Sequence, residues 1–215
     1  MMSKQINIIL IGILFVFSGL TLKASQFNGI IHFQKIDGID TTLYKYYVKD
    51  KYLRIEDIND KGDVNGIMLI DIEQANIVML SSTKKVYINV PISSKKHTNL
   101  NLDVDKTNDE MNVAGINCVL WTATEKTTKN RYEFWVHKNG YTFFNEMLHL
   151  LNREEAIANV WITMAVKDDY FPFIGATYSN TGELISKIEI ISIVEDDLPI
   201  EMFLIPNDYQ LMKRQ

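Results

Sequence analysis

Cysteine, proline, glycine and long apolar runs are all scarce in this sequence, and each scarcity excludes a class of protein. One cysteine, four prolines and ten glycines among 215 residues exclude an intrachain disulfide framework and a collagen-like repeat. Beyond the N-terminus, no run reaches the ~20 apolar residues of a membrane-spanning helix. The rest of the composition, 47% hydrophobic and 23% charged, is typical of a globular protein.

Positive charge and catalytic motifs are also in short supply. The chain has 22 Lys and Arg residues against 27 Asp and Glu. We therefore expect no nucleic-acid partner, and any membrane contact to be peripheral. The sequence contains no GxSxG, glycine-rich phosphate loop, HExxH or CxxC motif, each of which serves a known chemistry. We expect a protein that is not an enzyme and that holds no cofactor and no metal.

The N-terminus has the three parts of a secretory signal peptide. Lys4 lies in a short positive region, residues 6–17 form an apolar run, and the more polar SGLTLKAS places the small Ala24 before the cleavage point. A retained membrane anchor is the alternative, although about 12–17 apolar residues are fewer than a spanning helix needs. We predict a signal peptide over residues 1–24 and a single domain over 25–215, located in the periplasm or, alternatively, secreted.

Apolar and polar residues alternate with a period of two along most of the mature chain, which predicts antiparallel strands. Asp37-Gly38 and Lys49-Asp50-Lys51 mark tight turns between them. The polar residues 93–110 are expected to form a long exposed connection. The predicted strands cover residues 27–36, 42–49, 52–58, 66–72, 76–81, 85–90, 112–125, 131–137, 183–194 and 200–205.

The period changes to three and four between residues 144 and 164, which predicts helix. One helix should end near Leu151 and a second should run from residue 153 to about residue 165. Asn152 and Glu155 have the spacing of a capping box at the start of the second helix. The apolar residues that carry this period are Phe144, Met147, Leu148, Leu151, Ile157, Trp161 and Met164.

Several predicted strands are apolar on both faces, whereas a sheet wetted on one side alternates. The helical segment is the only candidate in the sequence to cover the second face. We therefore predict an α+β fold, mainly antiparallel β, in which a curved open half-barrel of about 8–11 strands holds the helices in its concave face. Incomplete cover would leave an apolar hollow there.

That hollow is the candidate ligand site, since small-molecule sites are mostly apolar with few polar groups. The same residues would serve equally as a fully packed core, and the sequence leaves both alternatives open. The candidate hydrophobic ligand-binding residues are Trp121, Phe134, Trp135, Phe144, Met147, Leu148, Leu151, Trp161 and Met164.

Other chemistry-bearing residues have simpler interpretations. Cys118, between Ile116 and Leu120, is expected to be a buried structural thiol and not a nucleophile. His32, His97, His137 and His149 lack the short spacing of zinc ligands. The acidic run from Asp103 to Asp109 alternates like a calcium loop, but its twelfth position is Ala114 and not glutamate, which favours a solvated loop.

The segment GINCVLWTATEKTTKNRYEFWVHKNG resembles a Gly-x-x-Cys strand and aromatic strand found in a family of uncharacterised exported proteins of Gram-negative bacteria. FNGIIHF, VKDKYLRIE, LIDIEQANIVMLSSTKKVY and MFLIPNDY extend the resemblance over nearly all of the mature chain. That family is similar to the LolA/LolB-like lipoprotein carriers and other lipid-binding envelope proteins. The resemblance implies a LolA-like half-barrel in the cell envelope and transfers no catalytic residue.

Two functions remain open from the sequence. The first is a soluble periplasmic binding or chaperone-like carrier that holds a lipid, an acyl chain or a lipidated partner in the apolar hollow. The second is a non-enzymatic envelope assembly or interaction protein with a fully packed core, which engages another protein through strand edges or residues 93–110. The sequence does not determine an oligomeric state.

Overall fold

A computed structural model of the chain describes residues 26–59, 61–92, 100–138, 140–152, 155–164 and 170–212. The predicted signal peptide lies outside these residues. None of the helices within the described ranges has the length and apolar character to cross a membrane.

Twelve strands in the described part of the chain form one sheet. Its spatial order is β12-β6-β5-β4-β3-β2-β1-β11-β10-β9-β8-β7, and its neighbours are antiparallel except for the parallel pair β12 and β6. The sheet is open, with β7 and β12 at its edges. The strands are β1 Gly29–Asp37, β2 Asp40–Lys49, β3 Tyr52–Ile58, β4 Val64–Asp71, β5 Asn76–Ser81, β6 Val86–Asn89, β7 Leu102–Val113, β8 Ile116–Glu125, β9 Arg131–Lys138, β10 Tyr170–Tyr178, β11 Leu184–Glu195 and β12 Gln210–Leu211.

Two α-helices in the described residues lie between β9 and β10, α1 at Phe143–Leu151 and α2 at Ala156–Thr163. Both pack their apolar side chains onto one face of the curved sheet. The predicted fold class is therefore confirmed: a mainly antiparallel, open, curved sheet holds the helices in its concave face, with twelve strands in the described residues where about 8–11 were predicted.

Asn152 has a different role from the predicted one. It ends α1 instead of starting α2, in the left-handed conformation (φ 45°), and its backbone N–H donates to the Leu148 carbonyl. Asparagine is a common N-cap, which is why the sequence predicts one here. It also tolerates the left-handed conformation better than most residues, and this allows it to end α1. The described part of α2 begins at Ala156, after Glu155.

The predicted exposed connection at residues 93–110 is wrong in its second half. Residues 93–99 lie outside the described residues, and β7 begins at Leu102. The predicted strand 112–125 is in fact the end of β7, a turn at Ala114 and Gly115, and all of β8. β7 escaped recognition because an edge strand has one neighbour and most of its side chains are exposed, so its pattern is not apolar.

Two predictions of secondary structure are wrong in the C-terminal third of the chain. β10 was not predicted, because Pro172 interrupts its pattern and proline is normally excluded from inner strands. The strand tolerates it at a register shift between Pro172 and Ile174, opposite β9. Residues 200–205, predicted as a strand, contain a 3₁₀ helix at Ile200–Phe203 instead.

Residues 200–209, the C-terminal segment, cover part of the convex face, which corrects the expectation that only the helices could shield a second face. Ile67 and Leu69 of β4 and Val78 and Leu80 of β5 form a separate buried cluster on that side. Tyr87, Ile205 and Tyr209 pack against it.

Candidate ligand cavity

The helices do not fill the concave face completely. A cavity of about 120 Å³ lies between them and the sheet. The sheet contributes side chains from β1, β2, β3, β9, β10 and β11, and the helical segment contributes the opposite wall. The lining residues are Phe33, Lys35, Tyr44, Tyr46, Ile55, Phe134, Phe144, Met147, Leu148, Leu151, Glu155, Ile157, Ala158, Trp161, Phe171, Pro172, Gly175, Ile188 and Ile190.

The sheet side of the cavity has an aromatic wall. The Phe33 ring stacks on Tyr44 with centroids 5.0 Å apart and meets Tyr46 edge-on at 4.6 Å. The β1–β2 register places Tyr44 directly opposite Phe33 and Tyr46 opposite Ile31. Because alternate residues of a strand share a face, these three rings necessarily point to the cavity side together.

Trp161 joins the helices to the sheet. Its indole packs edge-on against Phe134 of β9 at 5.2 Å and against Phe144 of α1 at 6.0 Å. Its Nε1–H donates to Asn145 Oδ1 at 2.7 Å, so the polar atom of a side chain that is 1% exposed is satisfied. Trp161 thereby fixes the separation of α1 and α2 above the cavity.

Gly175 of β10 allows α2 to approach the sheet closely. A Cβ atom at this position would lie 3.1 Å from Ile157 Cδ1 and 3.5 Å from the Phe134 ring. Any larger side chain would therefore enter space that the cavity and its lining now occupy.

The structure brings six of the nine predicted site residues to the cavity. Phe134, Phe144, Met147, Leu148, Leu151 and Trp161 all line it, whereas Trp121, Trp135 and Met164 do not.

The three remaining predicted site residues have other positions. Trp121 lies on the far side of Trp161, 4.5 Å from the Tyr170 ring. Trp135 sits between Phe134 and Val136 in β9 and so points to the opposite face of the sheet, in register with Leu120. Met164 is buried at the end of α2.

Sequence reasoning missed the β1 and β2 side of the cavity. Phe33, Tyr44 and Tyr46 occupy alternate positions of predicted strands, so the period of two predicts that Tyr44 and Tyr46 share a face. The period alone does not indicate which face of the sheet meets the helices. Lys35 and Glu155, which also line the cavity, carry no motif.

A family model described as Domain of unknown function (DUF4412) matches residues 27–209. The chain belongs to this family. A search of curated proteins found no match to this DUF4412 chain.

Solved structures show the same fold at low sequence identity. An uncharacterized conserved protein from Thermus thermophilus has a TM-score of 0.52 and 10% identity, with 86% of the DUF4412 chain and 89% of that chain covered. A chain in the MucA/MucB complex of Pseudomonas aeruginosa has a TM-score of 0.50 and 12% identity, with 88% and 59% covered. The DUF4412 chain thus spans less than two thirds of the second protein. These similarities concern the fold alone.

The other chemical candidates stay apart from the cavity. Cys118 is completely buried, and burial raises the pKa of its thiol to about 11, the opposite of what a nucleophilic thiolate needs. Asp103, Asp105 and Asp109 lie on β7. Within the described residues, no group of three His, Cys, Asp or Glu side chains could hold a metal ion.

Proposed function

We propose that this chain is an exported, non-enzymatic binding protein that holds the apolar part of a ligand between its helices and the concave face of its sheet. The observation that carries the proposal is the apolar cavity of about 120 Å³. Engineered apolar cavities of ~150 Å³ bind benzene-sized ligands. The cavity has room for an apolar group of about six carbons. The rest of a longer ligand would extend out of the cavity past the half-exposed lining residues.

The chemistry of the lining supports binding over catalysis. Seventeen of its nineteen residues are uncharged, and the two charged side chains, Lys35 and Glu155, pair with each other at 3.6 Å. Burying six methylenes would contribute about 5 kcal/mol, which corresponds to a Kd of roughly 0.3 mM before ordering costs. A lipid, an acyl chain or a lipidated protein would supply such a group.

We also propose that the protein is exported to the periplasm, with secretion as the alternative. The charge and apolar pattern of residues 1–24, which is typical of a signal peptide, supports this location. Fractionation of cells followed by N-terminal sequencing tests this point. A cytoplasmic protein that keeps residues 1–24 would contradict it.

Native mass spectrometry of the gently purified mature protein tests ligand binding directly. We expect a mass above that of the polypeptide and, in the organic extract, a molecule with an apolar chain. The Gly175→Val variant should lose this adduct, since the new side chain must enter the cavity beside Ile157.

Gly66→Val is the matched control for the cavity-filling variant. Gly66 also lies in a strand, and a Cβ there would meet nothing within 4 Å. The control should keep the adduct. Equal adduct levels in wild type and both variants would show that any bound molecule lies outside the cavity.

A second candidate, an assembly protein that binds another protein, is favoured by one feature of the sheet. The edge strand β7 is 12 residues long, and exposed strand edges pair readily with an added strand. The MucA/MucB structure is itself a complex of two proteins. A ligand-free mass together with a stable protein partner would favour this candidate over the first.

A further inference from the structure

The two charged residues of the cavity lie together on its exposed side. Lys35 comes from β1 and Glu155 stands immediately before α2. Their side chains are 26% and 40% exposed, whereas most of the helix and sheet lining is buried. We call Lys35 and Glu155 the mouth pair. A ligand whose apolar end fills the cavity would place its polar end beside them.

Negative charge exceeds positive charge around the mouth pair. Lys35 Nζ is also 3.4 Å from Asp37 Oδ2, and the β2–β3 register places Asp57 opposite Tyr44, on the cavity side of the sheet. Lys45 and Lys187 lie on the strands that flank β1, but their side chains point to the other face of the sheet. Lys35 is thus one ammonium that lies close to two carboxylates, those of Asp37 and Glu155.

A polar group that stands beside the mouth pair could hydrogen-bond to both of its members. Separations of 3.4 and 3.6 Å exceed the ~3.2 Å limit of a normal N–H···O hydrogen bond. A hydroxyl or amide could donate to Glu155 and accept from Lys35. A carboxylate could only accept, and it would add a third negative group around the Lys35 ammonium, beside Glu155 and Asp37, where repulsion between like charges disfavours it.

We propose that the mouth pair selects amphiphiles whose polar end is an uncharged donor and acceptor, such as an alcohol or an amide, and rejects the corresponding carboxylates. This inference rests on the proposed function, because it requires an apolar group in the cavity. It adds a specificity that the apolar lining cannot supply, since the lining would accept the tail of a fatty acid and of its alcohol equally.

The test compares two ligands with the same eight-carbon chain, 1-octanol and octanoate, titrated into the full mature protein at pH 7 and followed by calorimetry and by NMR shifts of the lining residues. The wild-type protein should bind octanol at least about tenfold more tightly than octanoate. The Glu155→Gln variant should bind octanoate about fivefold more tightly than wild type does, with octanol affinity changed less than about twofold.

Glu146→Gln is the matched control. Glu146 pairs with Lys51 and also joins the helical segment to a strand turn, but it does not line the cavity. Its neutralisation should leave both affinities unchanged, which separates a mouth effect from a change in overall charge.

The outcomes distinguish the two levels of the argument. Octanoate binding as tightly as octanol in wild type, or an equal response of octanoate affinity in Glu155→Gln and Glu146→Gln, would overturn the selectivity and leave the apolar cavity site intact. Absence of saturable binding for both ligands, in protein with a normal unfolding transition, would overturn the proposed function and this inference with it.

Discussion

Trp161 is the side chain on which most of the cavity's geometry depends. It is 1% exposed, contacts Phe134 and Phe144, and donates to Asn145. Trp161→Ala should lower the free energy of unfolding by about 3–5 kcal/mol, because it removes a large buried ring and the hydrogen bond from its Nε1–H to Asn145. Urea unfolding measures the loss. A loss below about 1 kcal/mol would show that α2 does not pack on the sheet.

Trp161→Phe separates packing from hydrogen bonding in that result. The variant keeps an aromatic ring against Phe134 and removes the donor to Asn145. We expect a smaller loss, about 1–2 kcal/mol. An equal loss for both variants would assign the whole effect to the hydrogen bond.

Among the described carboxyl groups, Glu125 has the most clearly lowered pKa. Hydrogen bonds from the Thr128 hydroxyl and amide and from the Thr127 amide lower its pKa from 4.5 to about 2. Because the folded pKa is depressed, the contribution to stability is complete above pH 4.5 and is lost as the pH falls toward 2. NMR titration of the Glu125 carboxyl measures the pKa. Unfolding curves between pH 2 and 6 measure the stability.

Glu125→Gln should flatten the part of that pH profile that Glu125 contributes. The exposed Glu110→Gln on β7 provides the control, since it removes a carboxylate that lies within a strand and not at a turn. If both variants change the acid limb of the profile equally, the turn amides do not hold the Glu125 charge.

The sequence predicts the cavity residues of the helices better than those of the sheet. Phe144, Met147, Leu148, Leu151 and Trp161 share one helix-period stripe, and one stripe can face only one side. Strand residues are harder to assign, because Phe134 and Trp135 differ by one position and a shift of one position reverses the face. For this reason the predicted site contains Trp135, which points away from the cavity, and lacks Phe33, which lines it.

At the scale of elements, the end of α1 depends on a left-handed residue. Asn152 has φ 45° and its N–H closes the last turn onto Leu148. Asn152→Gly should keep or slightly raise stability, whereas Asn152→Val should cost about 1–2 kcal/mol, because a β-branched side chain clashes in this conformation. Thermal unfolding of the two variants measures the difference. Equal melting temperatures would mean that α1 ends differently in solution.

Element boundaries could be predicted where strand neighbours impose alternation and not where they are absent. The inner strands β1 to β5 have a partner on each side, and their predicted positions agree with the structure within a few residues. β7 has a partner on one side only, and its exposed sequence lacks the pattern. β10 is an inner strand that carries Pro172 at a register shift, so the usual meaning of proline was misleading there.

At the scale of the whole molecule, the sheet is covered from both sides by different parts of the chain. The helices cover the concave face, and the C-terminal segment covers the convex face of β3 to β6. Arg54 holds this segment by donating to the Met202 carbonyl at 3.2 Å, and it pairs with Glu56, which is 7% exposed. Tyr47 also donates to Glu56. The C-terminal segment thus covers part of the convex face, while the helices leave a cavity at the concave face.

Two adjacent residues of the C-terminal segment give a matched test of its packing on the convex face. Phe203 is 6% exposed and lies against the Tyr52 ring at 6.4 Å, whereas Leu204 is 52% exposed. Phe203→Ala should cost about 3 kcal/mol in urea unfolding and Leu204→Ala less than about 0.5 kcal/mol. Because Phe203 lies across the sheet from the cavity, its variant should keep the affinity for 1-octanol while it remains folded. Equal losses in the two variants would mean that the segment does not cover the convex face, and a parallel loss of octanol affinity would mean that the two faces are not independent.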